Sequence, residues 1–173
     1  MLPRISLVLG AAASGKSAFA ERLVEKTGRS CVYLATAKAH DTEMKEKLSQ
    51  HKARRGAGWQ TLEEPLDCGR ALATISGDRA VLLDCATMWL SNHLMAESDL
   101  AAAEAELMAG LALCAAPVVI VSNEVGASVV PENALARRFR EAQGQLNQKL
   151  AREAGLVVNV IAGLPLALKG TLP

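Results

Sequence analysis

The stretch Gly10-Ala-Ala-Ala-Ser-Gly15-Lys16-Ser17 has the spacing G-x-x-x-x-G-K-[ST]. Residues of these types at this spacing suit a polyphosphate, because backbone N–H groups from Gly10, Ala11, Ala12, Ala13, Ser14 and Gly15 surround it while a following helix adds positive partial charge. Lys16 then reaches the β and γ oxygens, and Ser17 offers a hydroxyl to Mg²⁺. A partner acid lies at the end of Val81-Leu-Leu-Asp84, an apolar run that delivers a carboxylate where the same metal ion is held. A strand-end Asp also serves as a turn cap, and the residues alone leave both roles open. Ser122-Asn123-Glu124-Val125-Gly126 ends another apolar run with polar groups. There Asn123 or Glu124 either orients an attacking hydroxyl or a metal-bound water, or caps a loop.

The segment from Asp41 to Arg55 offers a different chemistry. Counting in threes and fours places Met44, Leu48, His51 and Arg55 on one helical face. A histidine that continues an apolar stripe reads as a packed core imidazole. Against that, Lys52, Arg54 and Arg55 crowd the same position, which is poor company for a buried neutral side chain and good company for a triphosphate. Positive neighbours lower a histidine pKa, and even at about 6.5 roughly three quarters of the imidazole is neutral at pH 7 and free to attack phosphorus. A second basic cluster, Arg137, Arg138 and Arg140 with Lys149 and Arg152, is interleaved with Glu132, Glu141 and Glu153. It reads as a solvated face with i,i+4 pairs, or as one where Arg137 and Arg138 touch a phosphate or a neighbouring subunit.

These groups need elements to position them. Ile5–Leu9 is a short apolar run ending at Gly10, so it predicts a buried strand, and apolar spacing from Ser17 to about Lys26 predicts the helix that the phosphate loop requires. Further strands are expected at 31–35, 59–63, 80–84, 118–122 and 156–161. Helices are expected from Asp41, over 66–75, over 99–113, and from Pro131-Glu-Asn133 to about Ala154. Continuous apolar strands alternating with helices mean an α/β fold, a mostly parallel sheet covered on both faces. No repeat, low-complexity tract or linker interrupts the chain, so residues 1–173 are expected to form one nucleotide-binding catalytic domain.

Composition excludes several classes. Nineteen basic and eighteen acidic side chains leave a net charge of +1, too small a field to favour nucleic acid or an acidic membrane as a partner. The apolar runs fall well short of the roughly 20 residues that span a bilayer, and no transmembrane segment is expected. With no cleavable leader pattern at the N-terminus, the expected location is the cytoplasm. Cys31, Cys68, Cys85 and Cys114 show no metal or redox spacing and read as small buried apolar residues. An aromatic content of 3% is too thin for base-stacking platforms.

Taken together, the motifs resemble one family, the bifunctional adenosylcobinamide kinase and adenosylcobinamide-phosphate guanylyltransferase of cobalamin biosynthesis. The stretches that carry the resemblance are Ser14-Gly-Lys-Ser17, Tyr33-Leu-Ala-Thr-Ala37, Asp41-Thr-Glu-Met44 with His51, Trp59-Gln-Thr-Leu-Glu63, Leu83-Asp-Cys-Ala-Thr87 with Trp89-Leu-Ser-Asn92, Ser122-Asn-Glu-Val-Gly126, Val130-Pro-Glu-Asn133 with Leu135-Ala-Arg-Arg-Phe-Arg140, Leu146-Asn147 and Ala162-Gly-Leu-Pro165. The resemblance implies a P-loop, RecA-like sheet and two reactions. ATP or GTP phosphorylates the aminopropanol hydroxyl of adenosylcobinamide, and GTP then gives GMP to adenosylcobinamide phosphate through a GMP-histidine intermediate at His51. It also implies nucleotide contacts at Gly10 to Ser17, Ala35, Thr36 and Ala37, Lys52, Ala53, Arg54 and Arg55, Glu63 and Asp84, together with a homotrimer. The usual family loop reads Gly-Gly-Ala-Arg-Ser-Gly-Lys-Ser, so Ala11 stands for a Gly and Ala13 for an Arg. The methyl at Ala11 narrows the dihedral range there, and a cation is lost at Ala13. Two other readings use the same loop: a small-metabolite P-loop kinase in which His51 merely packs, and a nucleotide-binding regulatory module without turnover.

Overall fold

The computed structural model describes residues 2–37, 56 and 58–173. Its strands are β1 (Ile5–Gly10), β2 (Ser30–Ala35), β3 (Trp59–Glu63), β4 (Arg79–Asp84), β5 (Val118–Asn123), β6 (Leu156–Ile161) and β7 (Leu164–Lys169). They form one sheet in the order β3-β2-β4-β5-β1-β6-β7. β1 to β6 are mutually parallel, and β7 returns antiparallel to β6. The helices among the described residues are α1 (Lys16–Glu25), α2 (Cys68–Ala73), α3 (Ala86–Met95), α4 (Leu100–Leu113) and α5 (Ala134–Glu153).

The central strands are apolar throughout because both of their faces are covered, and alternate side chains enter two different cores. Leu7, Leu34, Leu83, Ile120 and Val157 pack with Leu72, Trp89, Leu107 and Leu146 from α2 to α5. Val8, Tyr33, Leu82, Val121 and Val158 pack with Ala20, Leu23 and Val24 of α1. Two helices start where side-chain caps predict. Asp99 Oδ1 accepts from the N–H groups of Ala101 and Ala102 at 3.0 and 3.1 Å, and Asn133 Oδ1 accepts from Leu135 and Ala136 at 2.8 and 3.2 Å. No helix among the described residues is long and apolar enough to cross a membrane.

Most expected elements are present within a residue or two, with three differences. The helix expected over 66–75 is the shorter α2. α3 was not expected, because its buried residues (Ala86, Thr87, Trp89, Leu90, Asn92, His93 and Leu94) surround the axis and leave no amphipathic stripe to read. β7 was not expected either, since Leu164, Leu166 and Leu168 are its exposed residues and Pro165 interrupts the run. Proline fits here because β7 is an edge strand. Ala162 and Gly163, at φ 51° and 80°, make the two-residue turn with positive φ at both positions that joins two strands of this twist. Cys31, Cys68 and Cys114 are buried thiols, as expected; Cys85 is less buried, and its Sγ accepts from the Met88 N–H at 3.4 Å to cap α3. The helix expected from Asp41 lies outside the described residues.

α2 and α4 cross at two glycines. A Cβ on Gly110 would stand 2.1 Å from the Gly69 carbonyl oxygen, and one on Gly69 would stand 2.2 Å from that of Glu106. Backbone atoms cannot step aside as a side chain can. Gly110→Ala is therefore expected to cost about 1–3 kcal/mol and lower the thermal midpoint by several degrees. An unchanged midpoint in a thermal melt would mean that the two helices part freely.

Candidate nucleotide-binding site

Parallel pairing brings the carboxyl ends of six strands to one edge. A single row of backbone partners runs Glu63, Ala35, Asp84, Val121, Val8 and Val158 across β3, β2, β4, β5, β1 and β6. Two residues past that row, Gly10 pairs with Asn123, and the Glu124 N–H donates to the Gly10 carbonyl at 3.2 Å. Of the expected site residues, the loop from Gly10 to Ser17, Ala35 to Ala37, Glu63 and Asp84 thus share one edge. His51 and Lys52 to Arg55 lie outside the described residues.

The phosphate loop folds back tightly on itself. A Cβ on Gly10 would fall 2.4 Å from Ser14 Oγ and 2.7 Å from the Val160 carbonyl, so only glycine fits. Gly15, at φ 92°, leads into α1 without a side-chain cap, an arrangement of helix-start N–H groups that suits an anion. Ala13 holds φ 56°, whereas Ala11 is absent from the positive-φ residues, so the methyl that the sequence marks as restrictive sits in ordinary backbone. From behind, the Gly163 N–H in the β6–β7 turn donates to the Ser14 carbonyl at 2.9 Å. Lys16 Nζ reaches across the loop to the Ala11 carbonyl at 3.1 Å.

Asp84 stands opposite Lys16 on the same edge. Burial lowers the Lys16 pKa from its ordinary 10.5, while Cys85 and Asp84 pull it upward. Tyr33 Oη donates to Asp84 Oδ2 at 3.1 Å. The peptide that follows Asp84 is cis. Thr36 clamps that peptide: its Oγ1 donates to the Cys85 carbonyl and accepts from the Cys85 N–H, both at 2.8 Å, while the Thr36 N–H donates to the Asp84 carbonyl at 3.2 Å. Thr36 is wholly buried, and its hydroxyl supports the end of β4 from within. Burial, and then the Asp84 charge, push the Cys85 thiol up to about 11, which keeps it protonated at neutral pH. Ser17 and Asp84 are hard oxygen donors, the chemistry that Mg²⁺ takes.

The basic cluster on α5 keeps Arg137 and Arg138 exposed, as the solvated-face reading expects, and adds contacts to the loop before it. Arg137 Nη1 donates to the Pro131 carbonyl at 3.0 Å and Arg140 Nη1 to the Ser128 carbonyl at 3.0 Å, so these cations staple the loop that precedes their own helix. Lys149 pairs with Glu104 of α4. Glu124 closes the turn at its own end, accepting from the Gly126 N–H at 2.8 Å. The sequence reading assigned no role to Tyr33 or to the amides Gln143 and Asn147. The last two sit four apart in the apolar stripe of α5 with Leu146 and Leu150, and a polar pair inside such a stripe was the available signal. A cavity of about 440 Å³ lies between α3 and α5, lined in part by Leu94, Met95, Leu135 and Phe139 and by none of the expected nucleotide contacts.

A phosphate loop after β1, an acid at the end of β4 and β5 between them define a P-loop nucleotide-binding protein with a RecA-like sheet. The fold is similar to that of the flagellar accessory protein FlaH from Methanocaldococcus jannaschii, with a TM-score of 0.55 and 13% identity over 99% of this chain and 80% of that one. It is also similar to the RadB recombinase, at 0.52 and 16% over 91% and 74%. Residues 6–168 match the model of the cobinamide kinase / cobinamide phosphate guanyltransferase family, and the chain belongs to that family. It is therefore an enzyme, a kinase and nucleotidyltransferase. Its relatives include the bifunctional adenosylcobalamin biosynthesis protein CobP of Pseudomonas aeruginosa, 41% identical over 95% of this chain and 96% of that protein. The protein CobU of Salmonella typhimurium is 39% identical over 94% and 98%.

The lowered Lys16 pKa has a readable sign. A lysine whose pKa falls below 10.5 loses its charge earlier as pH rises, so nucleotide affinity measured without divalent metal should begin to fall at lower pH than for an ordinary lysine. Asp84→Asn removes one influence that raises that pKa and should move the fall to lower pH still. Titration of nucleotide affinity from neutral to alkaline pH checks this. An alkaline limb left in place by Asp84→Asn means that the two groups are not coupled.

Proposed function

We propose that this enzyme phosphorylates adenosylcobinamide and then guanylylates the product, the second step passing through a GMP adduct on His51. The observation that carries the reading is the family match over residues 6–168, which takes in the phosphate loop, the His51 segment and Asp84 together. In the kinase step the acceptor hydroxyl attacks the γ-phosphorus of ATP or GTP, the bond to the β–γ bridging oxygen breaks, and the nucleoside diphosphate leaves. The loop N–H groups and Lys16 are arranged for the charge on the leaving oxygens. A magnesium ion on Ser17 and Asp84 would supply further neutralisation of that charge. In the guanylyl step a neutral His51 nitrogen attacks the α-phosphorus of GTP and pyrophosphate leaves. The phosphate of the acceptor then attacks the same phosphorus, the N–P bond breaks, and His51 is restored. Lys52, Arg54 and Arg55 are suited by charge to hold the departing pyrophosphate.

We further propose a homotrimer. The number three rests on the family resemblance, and the exposed leucines 164, 166 and 168 along β7, with exposed Ile161 beside them, give a continuous apolar strip that a second copy would cover. Light scattering should give three times the 18.2 kDa of the chain, and a monomer mass at working concentration overturns the assembly.

Incubation with α-labelled GTP, without acceptor, should label the protein, whereas γ-labelled GTP should not. The adduct should be acid-labile and alkali-stable, as a nitrogen–phosphorus bond is, and absent from His51→Ala, in which phosphorylation of adenosylcobinamide largely persists. If the wild-type enzyme guanylylates the acceptor without forming an adduct, transfer is direct and His51 is a packing residue.

A further inference from the structure

Four buried polar side chains converge beneath one residue of the site edge. The β4 ladder stops at Asp84, opposite Val121, two residues short of the end of β5. Beyond that point, side chains replace the missing strand. The Asn123 N–H donates to Thr87 Oγ1 of α3 at 2.8 Å, and Asn147 Nδ2 of α5 donates to the Asn123 carbonyl at 3.1 Å. Asn147 is itself held, because Ser122 Oγ donates to its Oδ1 at 2.6 Å and Gln143 Nε2 donates to the same oxygen at 3.0 Å. Gln143 Nε2 also donates to Ser122 Oγ at 2.9 Å. Helices on one face of the sheet thus fix both peptide groups of residue 123.

The Asn123 side chain goes to the other face. Strand alternation sends Val119 and Val121 into the α1 core, and Asn123 follows them toward the side on which the phosphate loop turns into α1. Gly10 is its backbone partner, and its Oδ1 is buried with no hydrogen-bond partner among the described residues. A buried amide oxygen left without a donor is costly, and a ligand hydroxyl would satisfy it.

We propose that Asn123 contacts the attacking group in the kinase step, its Oδ1 accepting a hydrogen bond from the acceptor hydroxyl, and that Thr87, Gln143 and Asn147 are positioning residues that hold it there. The proposal rests on the kinase reading above. The bonds made and broken are those of that step; the amide takes no proton, and the hydroxyl proton leaves with the phosphoryl product or to solvent. Phosphoryl transfer of this kind draws on orientation more than on a strong base, so an amide is a sufficient group.

The test compares Asn123→Ala, Asn147→Ala, Thr87→Val and the doubles that combine each positioning variant with Asn123→Ala. Kinase turnover with adenosylcobinamide, nucleotide affinity and thermal unfolding are measured for all of them. Asn123→Ala should lower kcat by on the order of tenfold to a hundredfold, with the KM for nucleotide and the unfolding midpoint near wild type. Each positioning variant should also lower kcat, and each double should be no slower than Asn123→Ala alone, because both changes act through one atom. An unchanged kcat in Asn123→Ala, or losses that multiply in the doubles, overturns the proposal. If Asn147→Ala does not fold, the isosteric Thr87→Val carries the same comparison. A wild-type enzyme that leaves adenosylcobinamide unphosphorylated removes the kinase reading instead. The slow transfer of the γ-phosphoryl group to water then takes the place of turnover, and Asn123 stands only if the same variants slow it in the same non-additive way.

Discussion

The pairing of β5 between β1 and β4 is the constraint on which the edge depends. It sets the phosphate loop and Asp84 on strands that are not neighbours, with the width of one strand between them, and it makes the end of that strand the floor of the gap. Parallel register then leaves no freedom in which residues share the edge: Glu63, Ala35, Asp84, Val121, Val8 and Val158 are locked into one row by the ladder. A slip of one residue would turn every strand side chain to the opposite core.

Much of the buried polarity serves the backbone just beyond that row. Thr36 holds the Asp84–Cys85 peptide, and Asn92 Nδ2 donates to the Thr36 carbonyl at 2.8 Å and to that of Pro65 at 3.0 Å. Thr87 and Asn147 hold Asn123 in the same manner. Where ladders end, peptide groups lose their partners while still out of water, and each needs a side chain or pays the cost of desolvation. Several of these side chains come from helices already packed against the sheet, which ties the site edge to the core.

The fold was legible wherever the physics is local. Apolar runs gave five of the six parallel strands, all but the alternating Trp59–Glu63, and Asp99 and Asn133 marked two helix starts by the capping their side chains then perform. α3 was hidden because burial on all sides erases the periodicity that marks a helix, and its cap is a cysteine. β7 was hidden because its leucines face outward, although the Ala162-Gly163 pair between two apolar runs was a hairpin signal. At the site, the loop, Lys16 and Asp84 were legible from spacing, since their geometry is carried by contiguous residues. The roles of Thr36, Tyr33 and Asn147 were not, because each depends on a partner 24 or more positions away that only the folded sheet supplies.

The β6–β7 turn braces the phosphate loop from behind through the Gly163–Ser14 hydrogen bond, and the Val160 carbonyl limits what Gly10 can be. The loop belongs to the first seventeen residues and its back wall to residues 160–163. During synthesis, therefore, the loop emerges before the turn that braces it. A nascent chain that has passed residue 17 but not residue 163 carries the phosphate-binding sequence without the wall behind it.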